Sequence, residues 1–177
     1  MATIRPIKWM CVVGALVLAP VLVPAATFTI TPGADNDCTD FDCDLQSALN
    51  QAVANGEDDT LTVEAGTYMA STTFRYDDVG QQEDCALTIS GAGSAQTILS
   101  GNSQVRILHI DAQGGDNSHI TVQGIQFTAG RSVDDLAAGL YVNTKGDVTV
   151  KNCWFHHNQG PLSLGGGAGV TSSPLGG

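Results

Sequence analysis

His119-Ile120-Thr121-Val122-Gln123-Gly124-Ile125-Gln126-Phe127 can be laid over Asp147-Val148-Thr149-Val150-Lys151-Asn152-Cys153-Trp154-Phe155, and that self-match decides the fold. Apolar residues coincide at Ile120/Val148, Val122/Val150, Ile125/Cys153 and Phe127/Phe155, and turn-formers coincide at Gly124/Asn152. The segments before them match as well. Ala138-Gly139-Leu140-Tyr141-Val142 resembles Ile107-Leu108-His109-Ile110, and Gly167-Ala168-Gly169-Val170 starts a third copy. A period of about 30 residues is the mark of stacked repeats. Short alternating stretches separated by Gly and Asn bends make those repeats β rather than helical.

Working outward, Thr27-Phe28-Thr29-Ile30, Leu61-Thr62-Val63, Leu87-Thr88-Ile89 and Thr97-Ile98-Leu99 have the same strand texture. No Asn-Gly hairpin signal joins neighbouring strands inside a repeat. The simplest closure is a right-handed parallel β-helix, an all-β solenoid in which each strand pairs with its equivalent one coil away. Ile120 then lies on Val148 and Phe127 on Phe155, with Gln126 and Trp154 facing outward. An antiparallel β-sandwich is the rival, but sandwiches seldom repeat internally in this way. One segment breaks the pattern. Leu45, Ala48, Leu49, Ala52 and Val53 form an apolar helical stripe after the N-cap Asp44, ending at Asn55-Gly56. A helix over 45–54 is placed to cover the N-terminal end of the solenoid, since open strand edges recruit other chains.

The first residues read differently. Arg5 and Lys8 precede the apolar run Met10 to Val23, which is broken by Pro20 and leads to Val23-Pro24-Ala25. This is the layout of a secretory signal peptide, and the run is shorter than the ~20 residues of a membrane span. The expected organisation is a signal peptide over 1–25, a strand, acidic loop and capping helix over 26–58, and β-helix coils over 59–177. The mature chain then has no membrane span, and its locale is the cell surface or the surrounding medium. Cleavage takes the formal charge from −11 to −13, so the chain repels nucleic acid and anionic membranes. Export permits disulfides. Cys38 and Cys43 are expected to pair across their short loop. Cys85 and Cys153, about two coils or 10 Å apart, are not expected to reach each other.

Cys43-Asp44-Leu45-Gln46-Ser47-Ala48-Leu49 resembles the CSLREA motif that opens a group of secreted bacterial β-helix proteins. Ala65-Gly66-Thr67-Tyr68 and Leu87-Thr88-Ile89-Ser90-Gly91-Ala92-Gly93 are similar to later phrases of that family. The likeness departs at Gln46 and Ser47, where the family usually has Arg and Glu. More broadly the chain resembles the pectate-lyase-like superfamily, including polymorphic outer-membrane proteins. The resemblance implies the solenoid, and it implies little about function because one scaffold hosts lyases, hydrolases and adhesins.

Candidate chemistry is sparse. Asp134-Asp135 near Arg131 is the closest approach to a catalytic carboxylate pair, and it also suits a solvated loop. Asp35, Asp37, Asp40, Asp42 and Asp44 offer oxygen ligands for Ca²⁺, the one cation the sequence suggests, but lack the EF-hand order. They read as a loop of Asx-turns ending in a helix cap. Cys153 and His156 have a C-x-x-H spacing; Cys153 should point inward, and adjacent His156 and His157 should face opposite ways on a strand, which argues against zinc. Repeated Asp or Lys/Arg at equivalent outward positions would mark an enzyme, and no such row is visible. Trp154 beside His and Asn has the make-up of a sugar-stacking platform, unless the following loop covers it.

The sequence therefore predicts an exported β-helix that binds or adheres, with host or polysaccharide glycans as the expected partner and no catalytic, cofactor or metal residues assigned. The alternative is the N-terminal part of a polysaccharide lyase or glycoside hydrolase. The chain stops at Gly177 without a polar cap after Gly165-Gly166-Gly167-Ala168-Gly169-Val170. Repeat arrays need such caps, so the expectation is a C-terminally incomplete solenoid that self-associates through its last coil.

Overall fold

Alternating side chains on a strand leave every second residue facing one side, and stacking such strands in parallel puts like residues over like. A computed structural model describes residues 25–33, 42–78, 84–134, 136–160 and 166–171 of the chain, with backbone alone at 42–43. The signal-peptide reading of residues 1–24, most of the acidic loop, the Cys38–Cys43 bridge and Asp135 lie outside the described residues or their side chains. So do residues 172–177.

The elements are β1 (Ala26–Ile30), β2 (Asp42–Cys43), α1 (Leu45–Asn55), β3 (Asp59–Val63), β4 (Gly66–Met69), β5 (Phe74–Asp77), β6 (Leu87–Gly91) and β7 (Thr97–Ser100). They continue with β8 (Leu108–Ala112), β9 (Ile120–Gln123), β10 (Gln126–Thr128), β11 (Leu140–Thr144), β12 (Val148–Lys151), β13 (Trp154–His156) and β14 (Ala168–Thr171). They form three parallel sheets, in the orders β12-β9-β6-β3-β1-β2, β13-β10-β7-β4 and β14-β11-β8-β5. Each coil contributes one strand to each sheet. The protein is a parallel β-solenoid of four coils, β3 to β5 being the first and β12 to β14 the last.

The register read from the sequence holds. Ile120 pairs with Val148 and Val122 with Val150, Phe127 with Phe155, and Val142 with Val170. Inward rows run Phe28, Leu61, Ile89, Val122, Val150 in the first sheet and Tyr68, Leu99, Phe127, Phe155 in the second. The rings of Phe127 and Phe155 stack at 4.8 Å and 5°. Outward, Thr27, Thr60, Thr88, Thr121 and Thr149 line up across the first sheet, where a β-branched residue suits a pleated, half-exposed surface. Burial weakens toward the last coil, where Val150 is 37% exposed and Phe155 is half-buried.

One bend is a matter of close approach. Gly124, at φ 67°, turns the chain from the first sheet to the second, and a Cβ there would meet Gly91 O at 2.7 Å. Its equivalent one coil on is Asn152, at φ 55°. The left-handed region admits Gly and, at modest cost, Asn.

α1 runs one residue longer than the sequence suggests. Asp44 caps it, accepting from Gln46 N at 2.8 Å and Ser47 N at 3.0 Å, and Gly56 ends it at φ 72°. Its buried stripe of Leu45, Ala48, Leu49 and Ala52 packs toward β5, β1 and β3. β5 is the edge strand of the third sheet. There the Gln46 side chain accepts from Arg75 N at 2.8 Å and donates to Arg75 O at 2.9 Å. A single carboxamide thus supplies both hydrogen bonds that a preceding strand would have made.

Candidate functional site

β5 carries no clear strand signal in the sequence, and it opens a polar outward face of the solenoid. In the strand triplets Arg75-Tyr76-Asp77, His109-Ile110-Asp111 and Tyr141-Val142-Asn143 the middle residue points inward and is buried. The flanking residues therefore face outward from the third sheet. Register puts Arg75, His109, Tyr141 and Gly169 in one outward row and Asp77, Asp111, Asn143 and Thr171 in the next. This corrects the expectation that no row repeats an acid at equivalent outward positions: Asp77 and Asp111 are direct partners on neighbouring coils.

The second row is knitted together. Thr171 Oγ1 donates to Asn143 Oδ1 at 3.2 Å, and Asn143 Nδ2 donates to Asp111 Oδ1 at 2.9 Å. Asp77 is held by its own strand neighbour, Arg75, at 2.7 Å, with the two side chains 39% and 49% exposed. A cleft of about 240 Å³ lined by Gln46, Asn50, Val53, Arg75 and Asp77 borders this end of the row.

The first row is roofed by the turn after β10. Arg106 is almost fully buried and donates through Nε to Ala137 O at 2.8 Å and through Nη2 to Ser132 Oγ at 2.9 Å. It is also ion-paired with Asp134. Asp134 takes Arg106 as its partner, while Arg131 forms a backbone bridge to Gln159. Burial works to raise the Asp134 carboxyl, but hydrogen bonds from Ser132 and Leu136 and the Arg106 guanidinium outweigh it and hold it below the usual range. The Arg106 guanidinium sits 5.8 Å from the Tyr141 ring centroid, within cation–π range. The Tyr141 hydroxyl reaches Thr171 Oγ1 at 2.9 Å, tying the two rows together.

His109 is the pivot of this arrangement. Its Nδ1 lies 3.4 Å from Arg106 Nη1. An arginine can only donate, so Nδ1 accepts and the proton sits on Nε2. That Nε2 is buried without a hydrogen-bond partner, and the ring packs edge-on to Tyr141 at 5.0 Å. Burial first, then the charges of Arg75 and Arg106, push the imidazole below its ordinary value, with Asp111 and Asp77 pulling back.

The sites expected from the sequence are placed as follows. Trp154 is outward and 55% exposed, with its ring 4.4 Å from that of His156. Cys153 is half-buried and faces Val122 O at 3.7 Å, and burial raises its thiol. Cys85 is also half-buried, and the two are not joined. His156 and His157 do not face opposite ways: His157 lies in the left-handed region at φ 54°, which swings it round beside its neighbour. Among the described residues no group of three or more His, Cys, Asp or Glu is placed to hold a metal, and no helix is long and apolar enough to cross a membrane.

Set against protein-family models, curated proteins and solved structures, the chain matches none of them.

Proposed function

We propose that this chain is an exported, surface-displayed or secreted β-solenoid of the kind that opens with a CSLREA motif, and that the outward face of its third sheet binds neutral glycan. The observation that carries the reading is the row Asp77, Asp111, Asn143, Thr171, a ladder of carboxylate, amide and hydroxyl groups in register along four coils. Sugar hydroxyls both donate and accept, and so does this row. Its internal hydrogen bonds fix the rotamers in advance, which lowers the ordering cost of binding. A formal charge of −11 on the whole chain disfavours polyanionic glycans. Trp154 offers a separate apolar face on the adjoining sheet for ring stacking. Self-association through the last coil, where Val150 and Val170 are exposed, belongs to the same proposal.

The test is a glycan array probed with the wild-type chain and with Asn143→Ala and Asp111→Ala. Signal on neutral glycans that falls in both variants, at unchanged melting temperature, supports the site. An array blank for the wild-type chain, or unaffected by either variant, rules it out.

One observation favours a second reading, glycoside hydrolysis. Glycosidases use a pair of carboxyl groups flanking the scissile bond, and partner positions on neighbouring strands put two side chains on one face. Asp77 and Asp111 occupy such positions. Release of reducing ends from an array-positive glycan, lost in Asp111→Asn, would select this reading over simple binding.

A further inference from the structure

We propose that His156 and His157 form a chelating site for a divalent late first-row transition metal, Cu²⁺ foremost. Two observations carry it. The first is convergence. The Nδ1 atoms of the two imidazoles lie 2.6 Å apart, with ring centroids at 4.8 Å and planes at 76°. At that separation at most one of them can carry a hydrogen on Nδ1, so at least one lone pair points into the shared space. The second is that the ring of His156 is positioned from outside the pair: the Trp154 indole lies 4.4 Å away and tilted by 33°, and Thr128 Oγ1 of the preceding coil lies 3.3 Å from the same Nδ1.

The backbone explains how neighbours in sequence come to share a point. β13 ends at His156, and His157 sits at φ 54°. The equivalent residue of the preceding coil, Ala129, has φ 53°, so the bend belongs to the solenoid. It is imposed on whatever residue stands there. A rigid bend that places two imidazoles side by side makes a preorganised bidentate ligand.

Geometry selects the ion. With metal–nitrogen bonds of about 2.0–2.1 Å, two nitrogens 2.6 Å apart subtend about 80° at the metal. That is nearer the right angle of tetragonal Cu²⁺ than the wider angle of tetrahedral Zn²⁺, and Cu²⁺ also heads the affinity order for nitrogen sites. Solvent completes the coordination, since His157 and Trp154 are exposed.

The chain has two tryptophans, so Trp9→Phe leaves Trp154 as the sole indole, in contact with the ligand ring. Titrating CuCl₂ into this otherwise full-length chain should quench Trp154 saturably at one equivalent, and frozen-solution EPR should show two nitrogen ligands. Asn tolerates the left-handed region, so His157→Asn keeps the bend. It should weaken Cu²⁺ binding at least about tenfold, the loss typical even for outer-shell partners of a metal. His119→Asn, remote from the pair, should bind as the wild type does. Non-saturable quenching, an oxygen-only EPR spectrum, or unaltered binding by a folded His157→Asn chain would overturn the assignment.

Discussion

Replacing Phe127 by Ala measures the stacking directly. Phe127 has no exposed surface, pairs with Leu99 below and Phe155 above, and lies parallel to the Phe155 ring at 4.8 Å. Truncating a fully buried Phe costs about 3–5 kcal/mol in transfer and cavity terms together. The lost ring pair, worth about 0.5–1.5 kcal/mol beyond area, puts the expectation in the upper half of that range, about 4 kcal/mol. A domain of this size melts about 2–4 °C lower per kcal/mol, so the midpoint should fall by roughly 8–16 °C. Phe155→Ala should cost about half as much, because Phe155 is half-buried in the last coil. Gln126→Ala, one residue away on the outward face, should stay within about 0.5 kcal/mol. Urea and thermal melts of the three variants order them Phe127, Phe155, Gln126. A Gln126 variant as damaging as the Phe127 variant would refute the assignment of faces.

Gln46→Ala removes both hydrogen bonds to the Arg75 backbone and should cost about 1–2 kcal/mol, read as raised amide exchange at Arg75 as well as a lower melting point. Gly124→Ala combines a left-handed backbone with a contact at 2.7 Å to Gly91 O and should cost more than about 2 kcal/mol, whereas Asn152→Gly should be neutral or mildly stabilising in the same melts. His109 has a folded-state pKa depressed below 6.5, so the unfolded chain binds more protons and stability should fall as pH drops through 6.5 toward the folded value. His109→Gln should flatten that part of the stability profile, and a variant that loses stability on acidification as steeply as the wild type would contradict the burial argument.

The coils at 119–127 and 147–155 were legible because inward residues recur at the solenoid's own period. Ile120, Val122 and Phe127 each meet an apolar equivalent one coil on, and their side chains alone report the register. β5 was not legible. Its inward residues, Phe74 and Tyr76, are aromatic where the next coils carry aliphatic ones, and its outward Arg75 and Asp77 resemble a loop. The triplet of polar, apolar and polar residues shared with 109–111 and 141–143 was the available signal. Missing that strand hid the Asp77–Asp111 pair, a contact between residues distant in sequence that exists only once the coils are stacked. The His156–His157 reading failed for a different reason. Strand alternation ends at His156, and the positive φ of His157 that follows has no mark in the sequence. Arg106 as the partner of Asp134 was equally hidden, because the turn that carries Asp134 folds back over the strand that follows Arg106.

The placement of the third-sheet face rests on one pairing, Asp111 beside Asn143, and disulfide trapping tests it directly. In a chain carrying Cys85→Ser and Cys153→Ser, the pair Asp111→Cys with Asn143→Cys puts thiols on partner positions about 4.8 Å apart, inside the range a disulfide spans. The pair Asp111→Cys with Tyr141→Cys is offset by two residues along the strand, roughly 8 Å, beyond that range. Non-reducing peptide mapping after mild oxidation should recover the 111–143 bridge and no 111–141 bridge. A 111–141 bridge, or neither, would mean that the coils are not stacked in this register and that the proposed binding row does not exist.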